Sequence, residues 1–525
     1  MPIAPWWQTG IIYEIYPRSF ADGNGDGIGD LAGIHAQLDY LAWLGVDALW
    51  LTPFYRSPLA DFGYDVSDHC DVDPAYGTLA DVDRLIGAAH QRGLRIILDF
   101  VPNHTSDCHP WFLEARASRR NPKRDWYIWH DPAPDGGPPT NWWPTFAGAM
   151  AWRRNAEGEL ELSIDRPAAD ATGSAWTFDA STGQYYLHTF LAQQPDLDWR
   201  NPHVVRAQQD VLRFWLARGV DGFRVDAIGA VGKPAAFENL PAGTEFVPGA
   251  YCTDVAFVDS VLATLRRTVD AGRDTVVLGE TADPRHVGAG KCSLGMNLFA
   301  AYGLWRAPFW RFQIEGMEAI DRPDFWPGWV LSNHDIPRHA ERYGSPARAR
   351  AAAVLLLTLR GTPLLYAGEE LGLRDAEIDA ATHLDPGDRD GCRAPLPWTD
   401  APDHGWGATP WLPWPRNHRS HNCDRLRRDP DSILHLYRAL IAARKASPAL
   451  SHGTFAWLDS PESVLAYRRI AGGDERVVLV NFESADRDVT VSHDWTIQLS
   501  SIPGRRGQRW HNHLGPDEAA ILSRR

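Results

Sequence analysis

Cysteine is scarce and scattered in this chain. The six residues (Cys70, Cys108, Cys252, Cys292, Cys392 and Cys423) form no C-x-x-C pair and no zinc spacing, which excludes a disulfide-stapled scaffold and a zinc ribbon. No segment reaches the ~18 consecutive apolar residues of a membrane-spanning helix. Basic charge is in the minority: 52 Lys and Arg against 67 Asp and Glu give a formal net charge of −15. That balance argues against nucleic acid or an anionic membrane surface as partner. Met1 to Gln8 has neither the basic start nor the apolar centre of a signal peptide. Low-complexity tracts and internal repeats are also missing. These absences predict a soluble, cytoplasmic protein with reduced thiols, and leave its oligomeric state open.

What is present is length, apolar content and tryptophan. With 525 residues, 44% of them hydrophobic, the chain is too long for one compact unit and predicts two or three domains. Its 24 Trp residues suit a large core, and exposed ones suit stacking on sugar rings. Ile11 to Tyr16 reads as a strand, and Leu31, Ile34, Leu38, Leu41 and Leu44 recur at helical spacing behind it. A strand at Ala48 to Leu51, a helix through Val82, Leu85 and Ala89, and a strand from Leu94 to Phe100 continue the pattern. From about residue 105 to 195 the alternation stops in a stretch rich in Trp, Pro, Gly and Asp. It resumes with helices at Val204 to Leu216 and Val255 to Val269. Further strands follow at Phe223 to Asp226, Val276 to Glu280, Met296 to Phe299, Trp329 to Leu331 and Leu364 to Tyr366. The last helix of the series is Ile433 to Arg444. Eight such units predict an α/β fold, a (β/α)8 TIM barrel from residues 1–104 and 196–450, with 105–195 an inserted subdomain after strand 3. From 451 to 525, short runs such as Val464 to Tyr467, Val477 to Asn481 and Val489 to Val491 predict a C-terminal all-β domain.

The chemistry gathers at the strand ends. Gly222-Phe223-Arg224-Val225-Asp226 sets an Arg and an Asp two apart, on the same side of a strand. A guanidinium there keeps a carboxylate ionised and able to attack. Asp99, Glu280 and Asp335 close other apolar runs, two of them near His104 and His334. A barrel brings these ends to one mouth. Two carboxylates at a mouth suffice for glycosyl chemistry, one attacking the anomeric carbon and one protonating the leaving oxygen. Near the N-terminus, Asp22 to Asp30 places oxygen ligands at alternate positions with Gly27 sixth, as in a calcium loop; the twelfth position is Gly33, so the bidentate Glu is missing.

Taken together, these segments resemble the four signature regions of the α-amylase superfamily, glycoside hydrolase family 13. Gln194 to Trp199 resembles the fifth region in its oligo-1,6-glucosidase and α-glucosidase form, and Arg389 to Trp398 is similar to an element of bacterial α-glucosidases. The resemblance implies Asp226 as nucleophile, Glu280 as general acid/base and Asp335 as transition-state stabiliser of a retaining mechanism. It also implies that Asp61, Tyr64, His104, Arg224, His334 and Arg419 bind the sugar. Asp22, Asn24, Asp26, the Ile28 carbonyl and Asp30 would hold a structural Ca²⁺, or Mg²⁺ in its place. The substrate class is a small α-glucoside or oligosaccharide. Ala227, after the nucleophile, points to α-1,4 linkages of the maltose type; α-1,6 hydrolysis and sucrose- or trehalose-isomerising transfer are the alternatives. A non-catalytic relative, like the transporter heavy chains that share this barrel, is disfavoured because all three acids are kept. Met150 to Thr172 is an insertion where the family has none.

Overall fold

The computed structural model describes residues 4–524 apart from 148, 157, 166–172, 245, 246, 248, 271–273 and 380. Eight parallel strands close a barrel: β1 (Ile12–Ile15), β2 (Ala48–Leu51), β3 (Arg95–Phe100), β4 (Gly222–Val225), β5 (Val276–Gly279), β6 (Leu294–Asn297), β7 (Pro327–Val330) and β8 (Thr362–Tyr366). β1 pairs with both β2 and β8, so the first and last strands seal the ring. Strands this apolar must be covered on both faces. Ile12, Trp50, Ile97, Leu278 and Met296 fill the interior, and the helices bury their apolar stripes outside.

The helices start where their side chains cap them. Thr78 and Asp81 form a reciprocal capping box at Leu79–Gln91, Asn201 caps Pro202–Ala217, and Asp254 caps Val255–Val269. The leucine series from Leu31 is two helices, Leu31–Ala36 and Leu38–Leu44, because Gln37 leaves helical geometry. The apolar spacing carries through since each piece buries its own leucines. β6 begins and ends two residues before the expected Met296 to Phe299, because Asn297 starts the short helix Leu298–Tyr302.

Between β3 and β4 the chain forms a three-stranded antiparallel sheet (Trp129–His130, Gln184–Leu187, Trp176–Asp179) and a separate hairpin, Ala149–Arg154 with Leu160–Asp165. Part of the Met150 to Thr172 insertion, residues 157 and 166–172, lies outside the described residues. After the barrel, Thr454–Trp457, Val464–Ala471, Asp474–Asn481, Ala519–Arg524 and Trp495–Ser500 build a five-stranded antiparallel sheet. Val489 to Val491 is not a strand. The strand pairing covers Arg487–Asp488 with His513–Leu514, and beyond it the Val489 N–H still reaches the carbonyl of Asn512, whose left-handed φ of +60° turns the opposite chain away. Among the described residues no helix is long and apolar enough to cross a membrane, and all six cysteines are free.

Candidate active site

β3 and β4 are paired so that Asp99 lies beside Arg224. The Arg224 guanidinium, completely buried, donates through Nη1 to both carboxyl oxygens of Asp99 (2.8 and 3.0 Å) and to Oδ1 of Asp226 (2.7 Å). Its Nη2 lies 2.9 Å from Oε2 of Glu280, which follows β5 directly. Asp226 sits one residue past the end of β4, and the next residue, Ala227, is forced to φ +38°. That left-handed turn aims the Ala227 N–H at Glu280 Oε2 (2.6 Å). One guanidinium and one amide thus fix two carboxylates from neighbouring strands.

A second cluster closes the pocket above them. Asp335, beyond the end of β7, accepts from Arg389 (3.0 Å) and Arg393 (3.1 Å). Arg389 also pairs with Asp61 and Asp385. Asp61 takes a further hydrogen bond from Gln194 Nε2 (2.9 Å), which lies 3.0 Å from His104 Nε2. Tyr64 donates to Asp99 (3.0 Å) and meets His334 Nε2 (2.7 Å), whose Nδ1 contacts Glu14 on β1 (2.6 Å). The resulting cleft holds about 520 Å³ and is lined by Asp61, Tyr64, His104, Asp226, Glu280 and Asp335, among others.

The electrostatics separate the acids. Burial raises Glu280 above its ordinary range, and the charges of Asp335 and Asp99 push the same way against Arg224. Burial, with Glu280, Asp99 and Asp335, raises Asp226 also, opposed by Arg224. Three carboxylates around one guanidinium in a dry site favour one shared proton. Asp335 goes the other way: burial alone would raise it, but His334, Arg389 and Arg393 hold it below the usual carboxylate range. Burial lowers His104 to about 4 and His334 to about 3, so both are neutral hydrogen-bond partners.

Of the residues read from the sequence, Asp61, Tyr64, His104, Asp226, Glu280 and Asp335 line the cleft, with Arg224 and His334 packed directly behind it. Arg419 is a correction. It lies exposed on a turn and does not line the cleft, because the guanidinium over the pocket comes from Arg389. Arg389, Arg393 and Glu14 were missed as site residues. The stretch Arg389 to Trp398 carried the signal for the two arginines; Glu14, one acid in a buried strand, carried none.

In the Asp22 to Asp30 loop, Gly25 and Gly27 adopt φ of +81° and +89°, and a Cβ at Gly27 would sit 2.2 Å from the Thr409 carbonyl oxygen. Asp22 accepts from the amides of Asn24 (3.0 Å), Gly25 (2.6 Å) and Gly27 (2.7 Å), and Asp30 caps the next helix through Gly33 (2.6 Å). Burial, then the charges of Asp22 and Asp26, raise Asp30 despite its amide bonds. An all-oxygen set of crowded carboxylates suits a hard divalent cation. Among the described residues, however, no three His, Cys, Asp or Glu groups surround a common metal position.

The α-amylase catalytic-domain family model matches residues 14–290 and 309–453. A probable α-glucosidase of Rhizobium meliloti (strain 1021) is 39% identical, covering 93% of this chain and 92% of its own. An oligo-1,6-glucosidase of Parageobacillus thermoglucosidasius is 34% identical over 91% of this chain and 90% of its own. The crystal structure of the α-glucosyl transfer enzyme XgtA superposes with a TM-score of 0.87 at 38% identity, covering 99% of this chain and 100% of that one. On this evidence the chain is a glycoside hydrolase of the α-amylase family, in its group of bacterial α-glucosidases and oligo-1,6-glucosidases.

Proposed function

We propose that the protein is a retaining, exo-acting α-glucosidase that cleaves α-1,4 bonds of maltose-type oligosaccharides and related α-glucosides. The observation that carries this reading is the single Arg224 guanidinium holding Asp226 at 2.7 Å and Glu280 at 2.9 Å. A bridge one guanidinium wide favours the retaining separation of roughly 5–5.5 Å over the wider inverting one. Burial raises both acids, Asp226 the more strongly. We assign Asp226 the ionised role, attacking the anomeric carbon, because Arg224 bonds it directly at the end of β4, in the segment that resembles the family's nucleophile region. Glu280 holds the shared proton and gives it to the leaving oxygen as that bond breaks. A water, or a second sugar, then enters; its proton passes to Glu280 as the ester to Asp226 opens. Transglucosylation follows from the same intermediate.

Asp335, Asp61, Arg389, Tyr64, His104 and His334 would hold the terminal glucose. The Asp61–Arg389 pair, crossing between loops after β2 and β8, supports a pocket that ends behind that ring and so accepts only chain ends. Ala227 supports the α-1,4 preference. The Asp22 to Asp30 loop is our proposed structural Ca²⁺ site, away from the chemistry, and its oxygen-only donors support that. A cytoplasmic location is supported by the six unpaired cysteines.

Product profiles on maltose, isomaltose, sucrose and trehalose, followed over time by NMR, test the whole reading. Maltose should turn over fastest and release α-glucose before mutarotation. A β-anomer appearing first would overturn the retaining mechanism; isomaltose as best substrate would overturn the linkage and leave the mechanism standing.

A further inference from the structure

We propose that the inserted hairpin, Ala149–Arg154 with Leu160–Asp165, is the outer wall of a chamber for the leaving ring, and that Trp152 sets how well that ring fits. The proposal rests on the glucosidase reading. A second cavity of about 210 Å³ adjoins the main cleft. It shares Glu280, Asp335, Tyr302 and Arg389 with that cleft, but is not lined by Asp226, Asp61 or His104. The acid in a two-carboxylate mechanism faces the leaving oxygen, and the nucleophile faces the anomeric carbon. A space that touches the acid and not the nucleophile is therefore on the leaving-group side. It is smaller than the ~300–1,000 Å³ of sites for drug-sized ligands, which suits a single ring.

The hairpin supplies the wall. Trp152 lies parallel to Tyr302, with ring centroids 6.0 Å apart and planes 10° from each other. Leu162, paired with Trp152 across the hairpin, lines the same chamber beside Phe146 and Pro337. Two buried acids fasten the turn end. Glu341 receives Arg154 as well as Arg374 and Arg416, and Glu159 receives Arg348 at 2.9 Å. A hairpin held this way is a standing wall, and an apolar surface held in place spares the ordering cost of binding. Its ligand is a ring with an apolar face that departs through a hydroxyl oxygen: the departing glucose of a disaccharide or the phenol of an aryl α-glucoside. In transfer, an alcohol of the same shape bonds to the anomeric carbon as the Asp226 ester breaks, and its proton goes to Glu280.

The test compares kcat/KM on maltose, 4-nitrophenyl α-glucoside and α-glucosyl fluoride, whose leaving group has no ring. Wild type, Trp152→Ala, Trp152→Phe and Leu162→Ser are measured, with melting curves to verify folding. In Trp152→Ala the maltose-to-fluoride or aryl-to-fluoride ratio should fall about tenfold or more, and Trp152→Phe should stay within about threefold of wild type. A fall for maltose alone identifies glucose as the ring the chamber fits; a fall for the aryl substrate alone identifies the phenol. If Trp152→Ala does not fold, Leu162→Ser carries the same comparison. Ratios unmoved in a folded variant, or equal losses on all three substrates, would overturn the proposal. A wild-type enzyme inactive on all three would instead remove the glucosidase reading beneath it.

Discussion

At the residue scale the site turns on the difference between two carboxylates that share Arg224. Because Glu280 is the proton donor in our reading, Glu280→Gln should matter most where the leaving group needs protonation. The loss in kcat/KM on maltose should exceed that on an aryl α-glucoside with an acidic phenol by about 10²-fold or more, since general acid catalysis contributes typically 10²–10⁴. Equal losses would remove Glu280 from that role. Ala227 carries a less expected demand. Its φ of +38° makes any β-branched side chain there strained, on top of filling space beside the nucleophile. Ala227→Val should therefore lower the maltose-to-isomaltose ratio of kcat/KM by about 10-fold or more and also cost about 1–3 kcal/mol of stability in urea unfolding. A changed ratio with unchanged stability would mean the turn relaxes around valine. The acids were legible in the sequence because each ends an apolar run. The stretch that carries Arg389 and Arg393 was legible as a motif, but their contact with Asp335 was not, because they reach it from a loop more than fifty positions away, where no periodicity announces a contact.

At the scale of elements, regular pieces were read well and irregular ones were not. The barrel strands announce themselves by apolar runs that must be buried on both faces. The inserted region yields no clean period because its strands are only two to six residues long, and one of them, Trp129–His130, pairs with the distant Gln184–Leu187 while the others form short hairpins. Loops obey local chemistry instead, and the Asp22 to Asp30 loop is the case that can be measured. With Ca²⁺ bound only to the folded form, the melting temperature should rise with the logarithm of free Ca²⁺, corresponding to about 2.7 kcal/mol at a hundredfold excess over Kd. Asp26→Ala should abolish the rise. A melting temperature indifferent to both Ca²⁺ and chelator would leave the loop an ordinary turn braced by its own amides.

At the scale of the molecule, buried neutral groups set the response to acid. His69 is buried, neither ring nitrogen has a hydrogen-bond partner among the described residues, and burial beside His104 lowers it to about 3. Its unfolded value is near 6.5, so between that pH and about 3 the unfolded chain binds a proton that the folded protein refuses. This histidine's share of stability is present above pH 6.5 and is lost as the pH falls. Buried acids such as Glu369, raised to about 8, titrate in the opposite sense, so the total curve mixes both. The difference between His69→Phe and wild type isolates one group. It should move in the variant's favour by about 2 kcal/mol between pH 7 and 5, read from urea midpoints at each pH. A pH-independent difference would show that His69 is charged or solvated in the fold.

The pairing of β1 with β8 has a further consequence, in time rather than in space. Ile12 finds its partner at Leu364, so the barrel has an open seam until some 350 residues after its first strand has left the ribosome. At roughly 5–20 residues per second, that is an interval of about 20–70 s. Throughout it, the backbone groups on one side of β1 have no sheet partner, and an unpaired strand edge is a template for pairing with other chains. Whatever shields that edge during synthesis governs the yield of folded enzyme, even though it touches nothing in the finished barrel.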